Sequence, residues 1–320
     1  MALPKFLDDA LDAMIAPGFS RIGYLARSSR FTPLADYSLV GRTVVITGPT
    51  SGLGSAAARQ MRSMGADLVL VGRSAERLDR TADRLSALPG AGSLSRVVAD
   101  MGDLDAVRGA AGQIAASCGT IHALVHNAGA LTKSLETSAQ GFESTIATHV
   151  LGPHLLTRAL LPVLQASHGR VVTVSSGGMY AATVPDVAHG QSPEMSADKY
   201  DGTRQYAVAK RMQVTLNEMW ASRELSVAFA AMHPGWADTP GVQESLPVFR
   251  AVTRPLLRSA EQGADTISWL VADDTMIGES GRFWCDRSIR TIHRIQRTRR
   301  SDTADARAAL WQWCDERTAP

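Results

Sequence analysis

The sequence predicts an α/β protein with one doubly wound parallel sheet of about seven strands, forming a single domain with an N-terminal extension and a C-terminal tail. Three observations lead there. Short apolar runs recur along the chain: Thr43–Thr47, Asp67–Val71, Arg96–Asp100, Ala123–His126, Arg170–Ser175, Val227–His233 and Gly281–Asp286. Such runs fit strands buried on both faces, the pattern of parallel sheets. Helix-period segments separate them, among them Ser74–Leu88, Asp103–Ser117, Gly141–Gln165 and Arg204–Arg223. Finally, 320 residues with 45% apolar and 20% charged side chains suit one large globular domain. This regular alternation favours one sheet over two domains.

Composition narrows the function. Lys+Arg number 33 and Asp+Glu 31, a net charge of +2, so no global field argues for nucleic acid or membrane. The three cysteines, Cys118, Cys285 and Cys314, are odd in number and widely spaced, which excludes a disulfide framework and a zinc pair. The eight histidines show no metal-ligand spacing either, so no metal is expected. Acids in the first twelve residues interrupt any signal-peptide core, and no run approaches a membrane span. A cytoplasmic protein is expected.

Taken in order, residues 1–40 read as a short helix and then extended chain. The first strand runs into Gly48-Pro-Thr-Ser51-Gly52-Leu53-Gly54, followed by an alanine-rich helix. Glycines there permit a tight turn and close backbone approach, and a helix N-terminus suits a pyrophosphate. This is the Rossmann-type arrangement for a dinucleotide. The second strand ends at Gly72-Arg73-Ser74. An acid at that place would accept ribose hydroxyls, whereas an arginine suits a 2′-phosphate. NADP(H) is therefore expected over NAD(H), unless Arg73 merely pairs with Glu76 or Asp79. Asp100-Met101 closes the third strand and His126-Asn127-Ala128-Gly129 the fourth.

Further along, Val174-Ser175-Ser176 ends the fifth strand, and residues 177–205 form an aperiodic insertion of the kind that covers a binding site. Met179, Tyr180 and Trp236 are expected beside the substrate. Tyr206-Ala-Val-Ala-Lys210 is the sharpest feature. On a helix, positions i and i+4 share a face, so phenol and ammonium act together. A neighbouring cation lowers a tyrosine pKa from about 10 and makes a proton donor and acceptor. With five tyrosines and four lysines, roughly 0.06 such pairs arise by chance. Pro234-Gly235-Trp-Ala-Asp-Thr239 follows the sixth strand. His233 reads as a packed strand-end residue. The arginines of the tail, Arg287, Arg290, Arg294, Arg297, Arg299 and Arg300, read as a solvated face.

T-G-x-x-x-G-x-G, N-A-G, the strand-end serine, Y-x-x-x-K and P-G-x-x-x-T, in this order, resemble the short-chain dehydrogenase/reductase family over residues 41–290. Val172–Met179, Met232–Val242 and Ser280–Arg287 look like its poorly characterised branch called member twelve. The resemblance implies that Gly48, Ser51, Gly52, Leu53, Gly54, Arg73, Asp100, Met101, Asn127, Ala128, Gly129, Tyr206, Lys210, Pro234, Gly235 and Thr239 bind the cofactor. Asp100 would meet the adenine amine and Thr239 the nicotinamide carboxamide. It further implies that Ser176, with Ser175 as fallback, holds the substrate oxygen. His149 stands where the family carries an asparagine that anchors a proton-relaying water. A histidine there relays protons, imparts pH dependence, weakens the enzyme or caps a helix kink, and one sequence leaves these open.

The expectation is thus an NADP-preferring oxidoreductase for a small hydrophobic ketone, aldehyde or secondary alcohol, with residues 41–290 as the catalytic domain, 1–40 an extension and 291–320 a tail. The alternative is a catalytically weak NADP-binding sensor or scaffold. A homodimer or homotetramer, and peripheral membrane contact through residues 1–30 or the tail, stay open; no nucleic acid is expected.

Overall fold

In the computed structural model the chain is described over residues 5–319, apart from 91, 130 and 246. Residues 1–4 of the expected extension and residue 320 of the expected tail lie outside that range. Eight strands form one sheet: β1 (Thr43–Thr47), β2 (Asp67–Gly72), β3 (Leu94–Val98), β4 (Ala123–His126), β5 (Arg170–Val174), β6 (Ala228–Met232), β7 (Phe283–Cys285) and β8 (Ser288–Ile289). Their order is β3-β2-β1-β4-β5-β6-β7-β8, parallel throughout except for the antiparallel β7–β8 pair. The order reverses between β1 and β4, which opens a crevice at the carboxyl ends of the strands. The expected seven strands gain an eighth, a two-residue return of the chain after β7. Strand β3 ends two residues short of Asp100.

Alternation along each strand builds the two apolar layers. Val45, Leu124, Val171 and Phe229 point to one face, where they meet α6 (Leu104–Ser117), α8 (Gly152–Ala166), α9 (Gly202–Arg223) and α15 (Ala304–Arg317). Val44, Ile46, Val125 and Val172 point to the other, against α4 (Gly52–Ser63), α5 (Ala75–Ser86) and α12 (Ala260–Ala272). Shorter helices complete the chain: α7 (Ser144–Ile146), α10 (Pro240–Ser245), α11 (Pro247–Thr253), α13 (Thr275–Gly278) and α14 (Gln296–Ser301). Among the described residues no helix is long and apolar enough to cross a membrane.

Three expectations need correction. The first 40 residues hold α1 (Lys5–Ala13), α2 (Ile15–Phe19) and α3 (Arg21–Ser28) rather than one helix. The helix expected over 141–165 begins at Ser144 and is broken by a π turn, Ala147–Leu151, between α7 and α8. And half of the arginine run is not a solvated face. Arg287 pairs with Asp265, Arg290 with Asp8 and Arg294 with Asp12, each arginine largely buried; Asp8 and Asp12 come from the other end of the chain and Asp265 from α12.

One carboxylate organises this end of the molecule. Asp286 accepts from Arg258 at 2.6 and 2.9 Å and from Arg27 at 2.7 Å, with all three buried. Arg258 also donates to the carbonyls of Gly18, Ser20 and Pro234. Burial alone would raise the Asp286 pKa, but the two guanidiniums hold it below the usual carboxylate range. Its stabilising effect is therefore present above the unfolded value of ~3.9 and is lost as pH falls through the lower folded value. Removing one partner of a buried pair typically costs about 3–5 kcal/mol. Asp286→Ala should lose that much in urea unfolding at pH 7.

Candidate active site

Strand β1 passes into the glycine-rich turn at Gly48, where φ is +68° and a Cβ would lie 2.8 Å from the Ala128 Cα. Asn127 holds the turn: its Nδ2 donates to the Thr47 and Gly48 carbonyls, both at 3.0 Å. Thr47 Oγ1 accepts from the Asn127 and Ala128 N–H groups. At Gly54, a Cβ would sit 2.2 Å from the Gly48 oxygen and 2.3 Å from Asn127 Nδ2. Ser51 is the extended N-cap of α4 but makes no side-chain cap, so the N–H donors of the first turn stay uncapped around Gly52 and Leu53. The turn lies 3.4 Å from Thr239, measured from a Cβ built on Gly52. Thr239 thus comes back beside the glycine-rich turn from beyond β6, whereas Gly235 packs against Arg258 and the Phe19 carbonyl.

Arg73 is exposed, and among the described residues it has no ion-pair partner. Glu76 pairs instead with Arg80 and Asp79 with Arg96. A hollow lined by Thr50, Arg77, Arg80, Asp83 and Arg84 joins the glycine-rich turn to α5. Sequence reasoning missed Thr50 and Arg77; the signal was a second arginine four residues beyond Arg73, in the first turn of α5. Asp100 is exposed, its Oδ1 accepting from the Gly102 N–H at 2.8 Å. Met101 is buried in the apolar layer beside Leu104 and Val150, which leaves its backbone rather than its side chain for any ligand.

The two serines after β5 separate cleanly. Ser175 is buried and donates to the Lys210 carbonyl at 2.9 Å, tying strand to helix. Ser176 accepts from the Gly178 N–H at 3.2 Å and lies close enough to the Tyr206 hydroxyl to lower its pKa. Lys210 lies on the same helix face, its Nζ 5.2 Å from the Tyr206 ring centre and donating to the Val174 carbonyl at 2.8 Å. His149, on the π turn, meets the Tyr206 ring edge-on at 5.4 Å. Gly129 makes room for it: a Cβ there would lie 2.1 Å from the imidazole. Structure therefore brings Ser176, Tyr206, Lys210 and His149 together at the carboxyl end of β5.

The pKa of Tyr206 departs from expectation. Burial raises it above its ordinary value, and the nearby Ser176 hydroxyl lowers it only in part. Burial likewise pulls Lys210 down to about 7. Counting charges along the sequence could not register that desolvation. His126 and His233 are pushed down to about 3 by burial and stay neutral. His233 packs under the Phe19 ring at 4.4 Å, as expected of a strand-end residue. Met179 and Tyr180 sit in an apolar cluster. They are buried with Phe19 and Phe283, the Tyr180 hydroxyl donating to the Thr291 carbonyl, while Trp236 packs on the edge of that cluster.

A family model described as short chain dehydrogenase matches residues 42–246, more than half of the chain. The chain belongs to the short-chain dehydrogenase/reductase family. It is 35% identical over 278 residues to the bovine dehydrogenase/reductase SDR family member 12, covering 86% of each chain. It is 31% identical to the polyprenol dehydrogenase of Mus musculus, covering 77% of this chain and 76% of that one. A solved short chain dehydrogenase/reductase family protein superposes with a TM-score of 0.60 at 26% identity, over 77% of this chain and 96% of that chain. As a member of the family, the chain is an NAD(P)-dependent oxidoreductase acting on CH–OH/C=O groups. The residues present fit such a cofactor, since the cradle at Gly48 and Gly54 is one that a Cβ would fill.

Two measurements check this geometry. Gly54→Ala should weaken NADPH binding at least roughly tenfold in a fluorescence titration, equivalent to ~1.4 kcal/mol. Lys210 provides a pH signature. Between about 7 and its unfolded value of ~10.4, the unfolded chain binds one more proton than the folded one, so its contribution to stability rises with pH. Unfolding of the cofactor-free protein between pH 7 and 8.5 should show a shallower rise in Lys210→Met than in wild type.

Proposed function

We propose that the chain is an NADP-preferring oxidoreductase that interconverts a hydrophobic ketone or aldehyde and the corresponding alcohol, with Tyr206 as the proton-transferring residue. The observation that carries this reading is the convergence of Ser176, Tyr206 and Lys210 at the carboxyl end of β5, Lys210 Nζ lying 5.2 Å from the Tyr206 ring centre and Ser176 near enough to lower the Tyr206 pKa. When bound, the nicotinamide supplies or accepts the hydride. Gly48, Ser51, Gly52, Leu53 and Gly54 would take the pyrophosphate, with Asn127, Ala128 and Gly129 along the ribose. Asp100 and the Met101 backbone would sit at the adenine, and Pro234, Gly235 and Thr239 at the carboxamide.

The chain's own groups divide the remaining work. Ser176 would donate to the substrate oxygen and polarise the carbonyl. Tyr206, kept protonated by burial, is poised to give its proton to that oxygen in reduction. In the oxidative direction it must first lose the proton, which a charged Lys210 favours. Lys210 would exchange its bond to the Val174 carbonyl for ribose hydroxyls. Arg73, exposed and without a carboxylate partner, supports the preference for a 2′-phosphate, and Arg77 and Thr50 extend the same basic hollow. The half-buried Trp236 beside the site, and a relative named for the alcohol polyprenol, support an apolar substrate.

A panel of hydrophobic carbonyls assayed with NADPH tests the proposal. Tyr206→Phe should lose about 10²–10⁴-fold in turnover, the usual worth of a positioned acid, while binding NADPH nearly as well as wild type. Wild-type rates in that variant would refute the assignment. In thermal unfolding, NADPH at 100 times its dissociation constant should add about 2.7 kcal/mol. NADH should add less, and Arg73→Ala should narrow the difference. Binding without turnover of any carbonyl would favour the sensor reading.

A further inference from the structure

Helices α1 and α3 carry apolar surface that neither the core nor the site accounts for. Among the described residues twelve large apolar side chains are exposed, and five of them, Phe6, Leu7, Met14, Ile22 and Leu25, fall within residues 6–25. Single exposed apolar residues are ordinary, whereas a cluster this dense marks an interaction surface. Helix geometry gathers the first three. At about 3.6 residues per turn, Phe6, Leu7, Ala10 and Ala13 fall on one side of α1, and Asp8 and Asp12 on the other. Met14 continues the apolar side, its N–H still bonding back to the Ala10 carbonyl. On α3, Gly23 and Arg27 are buried, while Arg21, Ile22 and Leu25 are exposed. Asp8 of α1 and Arg27 of α3 meet at 2.6 Å, and Arg27 goes on to Asp286. Both helices therefore stand on one buried charge cluster and turn their other faces outward. Ile289 and Ile295, also exposed, adjoin Arg290 and Arg294, the arginines that bind Asp8 and Asp12. Seven of the twelve exposed apolar side chains are thus brought to one end of the molecule.

Charge decides what such a face meets. The α1 acids that would repel an anionic surface are turned inward, where Arg27, Arg290 and Arg294 neutralise them, and Asp9 is the one exposed acid of the helix. The exposed cations are differently placed. Arg21 on α3 and Arg299 and Arg300 on α14 have no carboxylate partner among the described residues, and α14 follows directly on Ile295 with no acid of its own. Apolar side chains flanked by unpaired cations are what a surface lying in a bilayer interface presents. A second copy of the chain would instead bring the same positive face against this one. We propose that α1, α3 and the stretch from Ile289 to Arg300 form a surface that rests on an anionic phospholipid bilayer. Phe6, Leu7, Met14 and Leu25 enter the interface, and Arg21, Arg299 and Arg300 meet the headgroups. Helix α1 has nine residues, too few to span a bilayer, so it lies along the interface. Apolar insertion and headgroup attraction are both needed, since each alone gives only weak binding.

Sedimentation of the full chain with extruded vesicles tests this without any turnover. Vesicles of phosphatidylcholine with about one third phosphatidylserine should carry the wild type down at low salt, and pure phosphatidylcholine should bind it about tenfold less. Phe6→Asp should weaken binding to the anionic vesicles about tenfold by removing apolar area from the interface. Arg299→Ala combined with Arg300→Ala should weaken it about tenfold through lost headgroup contacts. The replaced side chains are exposed, so both variants should melt at the wild-type temperature. Raising the ionic strength about tenfold should weaken wild-type binding and erase most of its advantage over the arginine variant. No sedimentation with anionic vesicles, or binding that both variants retain in full, overturns the proposal. Dimers of the wild type in light scattering that Phe6→Asp dissolves, without vesicle binding, would assign this face to a second copy and overturn it equally.

Discussion

The buried carboxylate of Asp286 is the constraint on which the arrangement of the site depends. Its two guanidinium partners arrive from α3 and from the segment just before α12, and Arg258 carries the contact on to the Pro234 carbonyl. Phe19 finishes the connection. Its carbonyl accepts from the Trp236 N–H at 2.7 Å, and its ring lies where a Cβ on Gly177 would come within 2.9 Å. The loops after β5 and β6, which carry Ser176 and Thr239, are thus seated on residues from the first 30 of the chain. A buried ion pair gives little net stability over an apolar pair of the same shape. What it supplies here is position, because each donor has only one geometry that satisfies both the carboxylate and the adjoining carbonyls.

That dependence explains which parts of the molecule were legible in the sequence. Strands β1 and β4 begin and end where the apolar runs do, since burial on both faces leaves an unbroken signal. Tyr206 and Lys210 were legible because helix geometry alone puts them on one face. The N-terminal helices were not. They are short, and α1 and α3 are held by Arg27, Arg290 and Arg294 reaching Asp8 and Asp12, contacts between groups up to 282 residues apart. A linear charge run looks solvated when its counter-ions lie at the other end of the chain. The π turn was equally invisible, since an apolar pattern over 141–165 does not distinguish one extra residue. Met179 and Tyr180 look like pocket residues in a loop, yet Phe19 covers them, and nothing local announces that.

Desolvation is the other quantity a sequence withholds. Charge counting predicts a Tyr206 pKa below its ordinary value, whereas the folded chain raises it. Both statements follow from electrostatics, and the difference lies in which term the environment makes larger. A phenol sealed from water resists ionisation until a cation faces it, and the ammonium that could do so is itself half-neutralised by burial at neutral pH. Two groups with opposite penalties share one helix face. Once one of them is charged, ionising the other costs less than it would alone, which couples their proton exchange.

Helix α9 shows why such a pair can exist in a core. It is polar along much of its length and yet buried on most sides, a combination that amphipathic helices avoid. The resolution is that its donors each take a backbone carbonyl from a different segment. Gln205 takes Pro193, Lys210 takes Val174, Arg211 takes Ala182 and Ile292, Gln213 takes His149, and Asn217 takes Gly281. Loops and strand ends leave carbonyls without ladder partners, and this helix satisfies them. Lys210 is one member of that series, differing from the amides in being ionisable and from Arg211 in being able to lose its proton near neutral pH. Its structural bond and its proposed chemical role therefore use the same three hydrogens, and a ribose hydroxyl competes only with a single carbonyl for them.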